Sequence, residues 1–368
     1  MSLIQEITQP SLTENPVIQR MSLYDHEQVV FCQDQSTGLK AIIAIHNTVL
    51  GPSLGGTRMW QYENETAALN DVLRLSRGMT YKASITGLNL GGGKAVIIGD
   101  SRKDKSEALM RRFGKFVNAL GGKYITAEDV GISTRDMEFV NMETEHVSGL
   151  PESMGGSGDP SPVTAYGVYM GMKAAAKEKW GSDSLKGKKV AVQGVGHVGE
   201  CLVEYLTKEN AKVYVCDIFE DRLERVVKQF NAEVVHVDSF YDIDMDIYAP
   251  CALGATVNHD TLKRLKCSII AGAANNQLAD EKVHGEIMIK KGILYAPDFL
   301  INAGGLINVY SELEGYNREK SMKRAENIYY TTLDIFKMSK AENIPTYEAA
   351  NKLAERRIEA IGKVKLSY

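Results

Sequence analysis

The stretch that most restricts the fold runs from Lys189 to Asp217. A run of strand character, Lys189-Val190-Ala191-Val192-Gln193, leads into Gly194-Val195-Gly196-His197-Val198-Gly199. Beyond the glycines, Val198, Cys201, Leu202, Tyr205 and Leu206 fall at i, i+3, i+4, i+7 and i+8, the stripe of a helix lying on a sheet. A second apolar run, Lys212-Val213-Tyr214-Val215-Cys216, ends at Asp217. Parallel strands joined by a helix are apolar on both faces and need helices on both sides of a larger sheet. Ile247-Tyr248-Ala249, Ser268-Ile269-Ile270-Ala271 and Ile293-Leu294-Tyr295-Ala296 supply further strands, with helices fitting between them. The expectation is a doubly wound α/β domain.

The same unit predicts a dinucleotide site. Gly194 allows the tight turn, Gly196 lets backbone approach a pyrophosphate, and Gly199 lets helix and strand pack closely. The free N–H groups and dipole at the helix start favour an anion. Val195, His197 and Val198 complete the loop, with His197 placed to touch phosphate or solvent rather than to perform chemistry. Asp217 stands about 20 residues on, where a carboxylate accepts from ribose hydroxyls and repels a 2′-phosphate. No arginine follows it directly, so the expected cofactor is NAD. A glycine turn serving packing alone would require neither the flanking elements nor the aspartate.

The N-terminal half reads as a second α/β unit. Gln28 to Leu50 suggests paired strands turning at Ser36 to Gly38, and Glu63 to Met79 a helix. Ala95-Val96-Ile97-Ile98 is a buried strand, and Lys105 to Leu120 a helix ending at Gly121-Gly122. The Gly/Pro/Ser-rich stretch from Ser153 to Pro162 marks a boundary. Two helices follow Asn317, roughly Arg318 to Lys340 and Thr346 to Ile361, and the last is expected to return to the first domain. The expected division is a discontinuous substrate and oligomerisation domain, 1–150 with 342–368, and a Rossmann-type dinucleotide-binding domain, 151–341.

Two lysines in the first unit point to chemistry. Between Lys82 and Lys94 runs Ala83-Ser84-Ile85-Thr86-Gly87-Leu88-Asn89-Leu90-Gly91-Gly92-Gly93, without one charge. Burial favours the neutral amine, and two close lysines repel, so one of them can act as a base near neutral pH. Tyr124-Ile125-Thr126-Ala127-Glu128-Asp129-Val130-Gly131 offers a carboxylate after a short strand, and spacing alone does not choose between Glu128 and Asp129. The combination suits hydride transfer coupled to an amine: a cationic lysine for a carboxylate, a neutral lysine to activate water, and a carboxylate to move protons on nitrogen. There is no HExxH, no His/Cys cluster and no GxSxG elbow, so no metal site is expected.

A net charge of −4 gives no reason to expect nucleic acid or an anionic membrane as partner. No apolar run approaches the roughly 20 residues of a membrane span. The start, Met1-Ser2-Leu3-Ile4-Gln5-Glu6, shows no secretory signal, so a cytoplasmic location is expected. The five scattered cysteines read as buried small hydrophobes in a reducing compartment.

Several segments together resemble the amino-acid dehydrogenase family (Glu/Leu/Phe/Val). They are Leu54-Gly55-Gly56-Thr57-Arg58-Met59-Trp60, Gly78 to Lys82, Gly87 to Lys94 and Ile125 to Gly131. The likeness continues through Pro160 to Val168, Ala249 to Ala255, Ala273 to Gln277 and Ile301 to Gly305, and so covers nearly the whole chain. It implies oxidative deamination of an L-amino acid to a 2-oxoacid and ammonia, in a cleft between domains that closes on binding. It implies that Lys94 activates water, that Lys82 binds the substrate α-carboxylate, and that Asp129 is the catalytic aspartate. It places Leu54, Gly55, Ala127, Leu306 and Val309 about the substrate, and Thr164, Ala252 and Asn276 about the cofactor. A homo-oligomer, an octamer by resemblance, is the implied assembly.

In members acting on glutamate, the position of Leu54 is a lysine that pairs with the side-chain carboxylate, and leucine cannot do this. Ala127 and Val309 follow the pattern of members acting on leucine. Members acting on phenylalanine tend to have glycine and leucine there. Branched aliphatic substrates differ by single methylenes, worth about 1–3 kcal/mol each, so valine and isoleucine are expected substrates beside leucine. The alternatives are a phenylalanine or broad-range enzyme, a silent NAD-binding protein, which should have lost Lys94 or Asp129, and a 2-hydroxyacid dehydrogenase, which needs a catalytic histidine not found here.

Overall fold

The computed structural model describes residues 17–365, and they group into two compact units, residues 17–80 with 90–147 and residues 81–89 with 148–365. Among the described residues no helix is long and apolar enough to cross a membrane.

The elements of the first stretch are α1 (Val17–Tyr24), β1 (Gln28–Asp34), β2 (Leu39–Asn47), β3 (Ser53–Trp60), α2 (Glu65–Ile85), β4 (Gly91–Ile98), α3 (Glu107–Asn118), β5 (Tyr124–Glu128) and α4 (Thr134–Asn141). The five strands form one sheet in the order β1-β2-β4-β3-β5. β1 and β2 pair antiparallel as the sequence predicts. Their turn is tied by Asp34, whose Oδ2 accepts from the Ser36 hydroxyl at 2.6 Å and the Thr37 N–H at 2.9 Å. β4 is antiparallel to β2, while β3 runs parallel to both β4 and β5.

Two features of this sheet differ from the sequence reading. The sequence pattern predicts no strand at β3, where Gly55-Gly56 interrupts the apolar run, and β4 includes the glycine triplet ahead of the strand predicted at Ala95 to Ile98. In both places the reason is crowding, not flexibility. A Cβ on Gly55 would lie 1.8 Å from the Gly93 carbonyl oxygen, and one on Gly92 would lie 2.2 Å from Thr80 N. Backbone and side chains approach so closely here that only glycine fits.

The second stretch holds α5 (Ser161–Trp180), β6 (Lys189–Gln193), α6 (His197–Lys208), β7 (Lys212–Cys216), α7 (Glu220–Phe230), β8 (Glu233–Val234), β9 (Ile247–Pro250), α8 (His259–Arg264), β10 (Ile269–Ile270), α9 (Glu281–Lys291), β11 (Leu294–Tyr295), α10 (Asp298–Ile301), α11 (Gly304–Glu312), α12 (Arg318–Glu342) and α13 (Thr346–Lys365). Its six strands lie in the order β11-β10-β9-β6-β7-β8, every observed pair parallel. The order reverses between β6 and β9, which is the switch point of a Rossmann-type sheet. The core is dominated by Tyr248, Phe240, Ile270 and Met288.

Helix α13 groups with this unit, whereas the sequence reading assigns residues 342–368 to the first. It packs on α12, and it also meets the end of α2: the Ser84 hydroxyl donates to Ala354 O at 2.7 Å, and Arg357 donates to Leu88 O at 2.8 Å. Residues 81–89 are therefore held by the C-terminal helix.

A buried histidine pair lies in the first unit. His46 falls where the β2–β4 register shifts between Ile45 and Asn47. Its Nδ1 is 2.8 Å from Thr80 Oγ1, its Nε2 is 2.8 Å from Tyr24 O, and its ring stands edge-on to His26 at 4.8 Å. Burial is the leading cause that pushes both imidazoles down to about 4, and repulsion from Arg77, and for His46 from His26, adds to it. The unfolded chain takes up these protons near the ordinary value of 6.5, the folded chain only near 4. Stability held by the neutral rings is thus complete above 6.5 and is lost as pH falls from there towards 4. Melting temperature should fall across that window. A His26→Gln/His46→Gln variant, whatever its own melting temperature at neutral pH, should show a flatter decline. Parallel curves for the two proteins would refute the assignment.

Candidate active site

Three adjacent strands of the first sheet each bring one charge to a common point. Lys94 comes from β4, Arg58 from β3, and Asp129 follows the end of β5. Lys94 is only 7% exposed, and its Nζ lies 2.6 Å from Asp129 Oδ2. Arg58 Nε reaches the same oxygen at 3.3 Å. The other end of the Arg58 guanidinium donates to Asp71 Oδ2 at 2.9 Å, which also accepts from the Tyr62 hydroxyl at 2.8 Å. Gly56 makes room for this cluster, since a Cβ there would lie 2.9 Å from the Cβ of Asp129.

The electrostatics follow from burial and partners. Burial pushes the Lys94 ammonium down from its usual value, and Asp129 offsets this only in part. For Asp129 burial alone would raise the carboxyl, but Lys94 and Arg58 outweigh it and hold it below the ordinary carboxylate value. The choice that spacing left open is visible in the geometry. Glu128 is exposed and accepts from the Thr134 hydroxyl at 3.0 Å, whereas Asp129 faces Lys94.

Leu54 is 2% exposed and pairs with Gly92 on one side and Ile125 on the other. Gly55 pairs with Thr126, and the buried Ala127 lies two residues before Asp129. Lys82 is in the last turn of α2, half-buried. Its charge is among those opposing the rise that burial imposes on the carboxyl of Asp298, at the start of α10.

In the second unit the loop after β6 gives each glycine a separate reason. Gly194 has φ +96°, and a Cβ on it would lie 2.6 Å from that of Ala252. A Cβ on Gly199 would lie 2.1 Å from Gly194 O, the close helix–strand contact that the motif predicts. A Cβ on Gly196 would meet only Arg222, at 3.8 Å. That position, at the N-cap of α6, thus opens to free space rather than to protein. His197 is exposed and Val198 half-buried at the helix start. The buried Asp217 carboxylate accepts from Val195 N–H at 2.8 Å and Phe219 N–H at 3.0 Å, with Arg222 at 3.9 Å.

Thr164 lies beside the start of α11, where a Cβ on Gly305 would come 3.1 Å from its hydroxyl. Leu306 and Val309 follow one turn apart on that helix. Asn276 is exposed with φ +52°, and its carbonyl accepts from Ala255 N–H at 2.7 Å. Among the described residues no group of histidine, cysteine or carboxylate side chains is arranged to hold a metal ion.

Comparison with known proteins identifies the family. Residues 26–146 match the Glu/Leu/Phe/Val dehydrogenase dimerisation domain, and residues 155–218 and 215–363 match the glutamate/leucine/phenylalanine/valine dehydrogenase domain. The chain belongs to the Glu/Leu/Phe/Val dehydrogenase family. It is 57% identical to a leucine dehydrogenase from Thermoactinomyces intermedius, covering 95% of each chain. It is 47% identical to a phenylalanine dehydrogenase from the same organism, covering 95% of this chain and 96% of that one. The crystal structure of L-tryptophan dehydrogenase from Nostoc punctiforme superposes with a TM-score of 0.85 at 46% identity, covering 94% of this chain and 99% of that one. The protein is therefore an amino-acid dehydrogenase, an oxidoreductase.

Membership of this dehydrogenase family implies a nicotinamide cofactor, and the loop fits one: an open glycine at a helix N-terminus, closed glycines on either side, and a fixed carboxylate after β7. Two residues beside Lys94 and Asp129, Arg58 and Asp71, do not stand out in the sequence. The available signal is that Arg58 is the single charge in Leu54-Gly55-Gly56-Thr57-Arg58-Met59-Trp60.

The three glycines of the loop should separate by experiment. Gly196→Ala should leave the melting temperature unchanged but weaken NADH binding by about tenfold or more, since the methyl displaces a charge-assisted contact to phosphate. Gly194→Ala should lower the melting temperature as well, because both its φ and Ala252 oppose a side chain. Undisturbed NADH titration of Gly196→Ala would mean that the pyrophosphate does not lie there.

Proposed function

We propose that the protein catalyses reversible NAD-dependent oxidative deamination of branched-chain L-amino acids, leucine with valine and isoleucine, to 2-oxoacids and ammonia. The observation that carries this reading is the buried Lys94 ammonium 2.6 Å from Asp129 in an apolar, glycine-lined part of the sheet.

In this mechanism Lys82 holds the substrate α-carboxylate. NAD, when bound by the loop of Gly194 to Gly199 and by Asp217, supplies the two-electron oxidation that turns the amine into an iminium. Lys94, in the neutral form that burial favours, takes a proton from water as the oxygen attacks the iminium carbon. The proton then has a short path from Lys94 Nζ to Asp129 Oδ2, and Asp129 delivers it to the nitrogen; as the C–N bond breaks and ammonia leaves, Lys94, neutral again, takes the hydroxyl proton and the carbonyl of the 2-oxoacid forms.

Leu54 and Ala127 support aliphatic substrates. A glutamate side chain placed against Leu54 would carry an unpaired carboxylate into an apolar wall, at a cost of several kcal/mol. Leu306 and Val309 of α11 are proposed as further substrate-binding residues, and Thr164, Ala252 and Asn276 as cofactor-binding residues. The relatives named for phenylalanine and tryptophan motivate a second reading, an enzyme of broad range that accepts aromatic side chains. NAD is favoured by the Asp217 carboxylate, although Arg222 at 3.9 Å offsets part of its repulsion of a 2′-phosphate. Action as a homo-oligomer accords with the dimerisation-domain match.

NADH formation should be fastest with leucine, valine and isoleucine and weak with glutamate, and NADP should be the poorer oxidant. Faster turnover of phenylalanine than of leucine would overturn the pocket reading while leaving the mechanism in place. Lys94→Ala should bind NADH normally and lose roughly 10²–10⁴ in kcat, the range of general-base catalysis. In the deamination direction, kcat/KM of the wild type should rise with pH as Lys94 gives up its proton, with a midpoint below that of an ordinary lysine. Wild-type turnover by Lys94→Ala would end this account.

A further inference from the structure

We propose that Arg58 is a positioning residue for the reaction: it is the permanent counter-ion that lets Lys94 lose its proton without leaving the half-buried Asp129 carboxylate uncompensated. The proposal rests on the reading of Lys94 as the base.

Asp129 Oδ2 is shared. Lys94 Nζ approaches it at 2.6 Å and Arg58 Nε at 3.3 Å. Had Lys94 been the sole partner, deprotonating it would remove the compensation of a half-buried carboxylate, and the pair would hold its proton more tightly. A guanidinium is charged at every pH the enzyme meets, so its half of the pairing survives when the lysine turns neutral. Arg58 is also well placed to stay. Its far end is anchored at 2.9 Å to Asp71, which accepts from the Tyr62 hydroxyl at 2.8 Å and pairs with the half-exposed Arg74 at 3.0 Å. The backbone fixes the near end, because Met59 N–H donates to Val130 O at 2.9 Å and so holds residues 58 and 129 side by side. The forked guanidinium spans both carboxylates, with Nε turned to one and a terminal nitrogen to the other, which a lysine cannot do at once. The positive charge of Arg58 also disfavours the charged form of Lys94, in the same direction as burial does.

The test is the pH profile of kcat/KM for leucine deamination in wild type, Arg58→Gln and Arg58→Lys, with NADH binding and melting temperature measured on each. For Arg58→Gln the acid limb should move to higher pH by about one unit, so that activity is about tenfold down at neutral pH and recovers at alkaline pH. NADH affinity should be unchanged, and Arg58→Lys, which keeps a positive charge but cannot hold both carboxylates at once, should restore only part of the wild-type profile. A limb that does not move, or a loss of equal size at every pH, would overturn the proposal and leave Arg58 a purely structural role. If Arg58→Gln does not fold, the double variant Arg58→Met/Asp71→Asn removes both partners of the ion pair, and the same alkaline shift is expected. Lys94→Ala separates the two ideas. If it is inactive while Arg58→Gln keeps the wild-type profile, the Arg58 proposal alone fails. If it is active, the reading of Lys94 fails first.

Discussion

A buried ammonium needs both an answering charge and space, and the first unit is organised by those two needs. The space comes from glycines on adjacent strands. Gly55, Gly56, Gly92 and Gly93 bring β3, β4 and their neighbours closer than any side chain would permit. The charge comes from Asp129, delivered by the strand next to the one that carries Arg58. Neither condition works alone. A wider sheet would admit water and return Lys94 to its ordinary basicity, and a sheet without the carboxylate would not tolerate the lysine.

The second unit meets a different constraint by ordinary means. Six parallel strands with a reversal between β6 and β9 leave a crevice at their carboxyl ends, and the helix that starts there has no side-chain cap of its own. Asp217 is held by two backbone N–H groups, so its carboxylate has a fixed direction before any ligand arrives.

Much of this was legible in the sequence where one physical rule acts locally. Val198 to Leu206 shows its period, and the strands at 189–193 and 212–216 fall at their expected limits, because burial on both faces leaves no other pattern. β3 was not legible because its glycines obey a long-range rule. They are demanded by the carbonyls of Gly93 and Glu128, which are remote in sequence. Arg58 and Asp71 escaped for a similar reason: each looks like an ordinary surface charge until β3 and α2 bring them together. The role that ties Lys94 to Asp129 was reached through a family likeness, since spacing left Glu128 equally eligible. The position of α13 depends on Ser84 and Arg357 contacts that no periodicity encodes.

The two glycine signatures look alike as letters but are enforced by different things. At Gly92 the obstacle to a side chain is the protein itself, at Thr80 N and Ser76 O. At Gly196 the protein offers almost no obstacle. A descendant of this chain that abandoned catalysis would therefore be free to drift at residue 196 and still bound at residue 92. The first position would record what the lineage does, and the second only that it still folds.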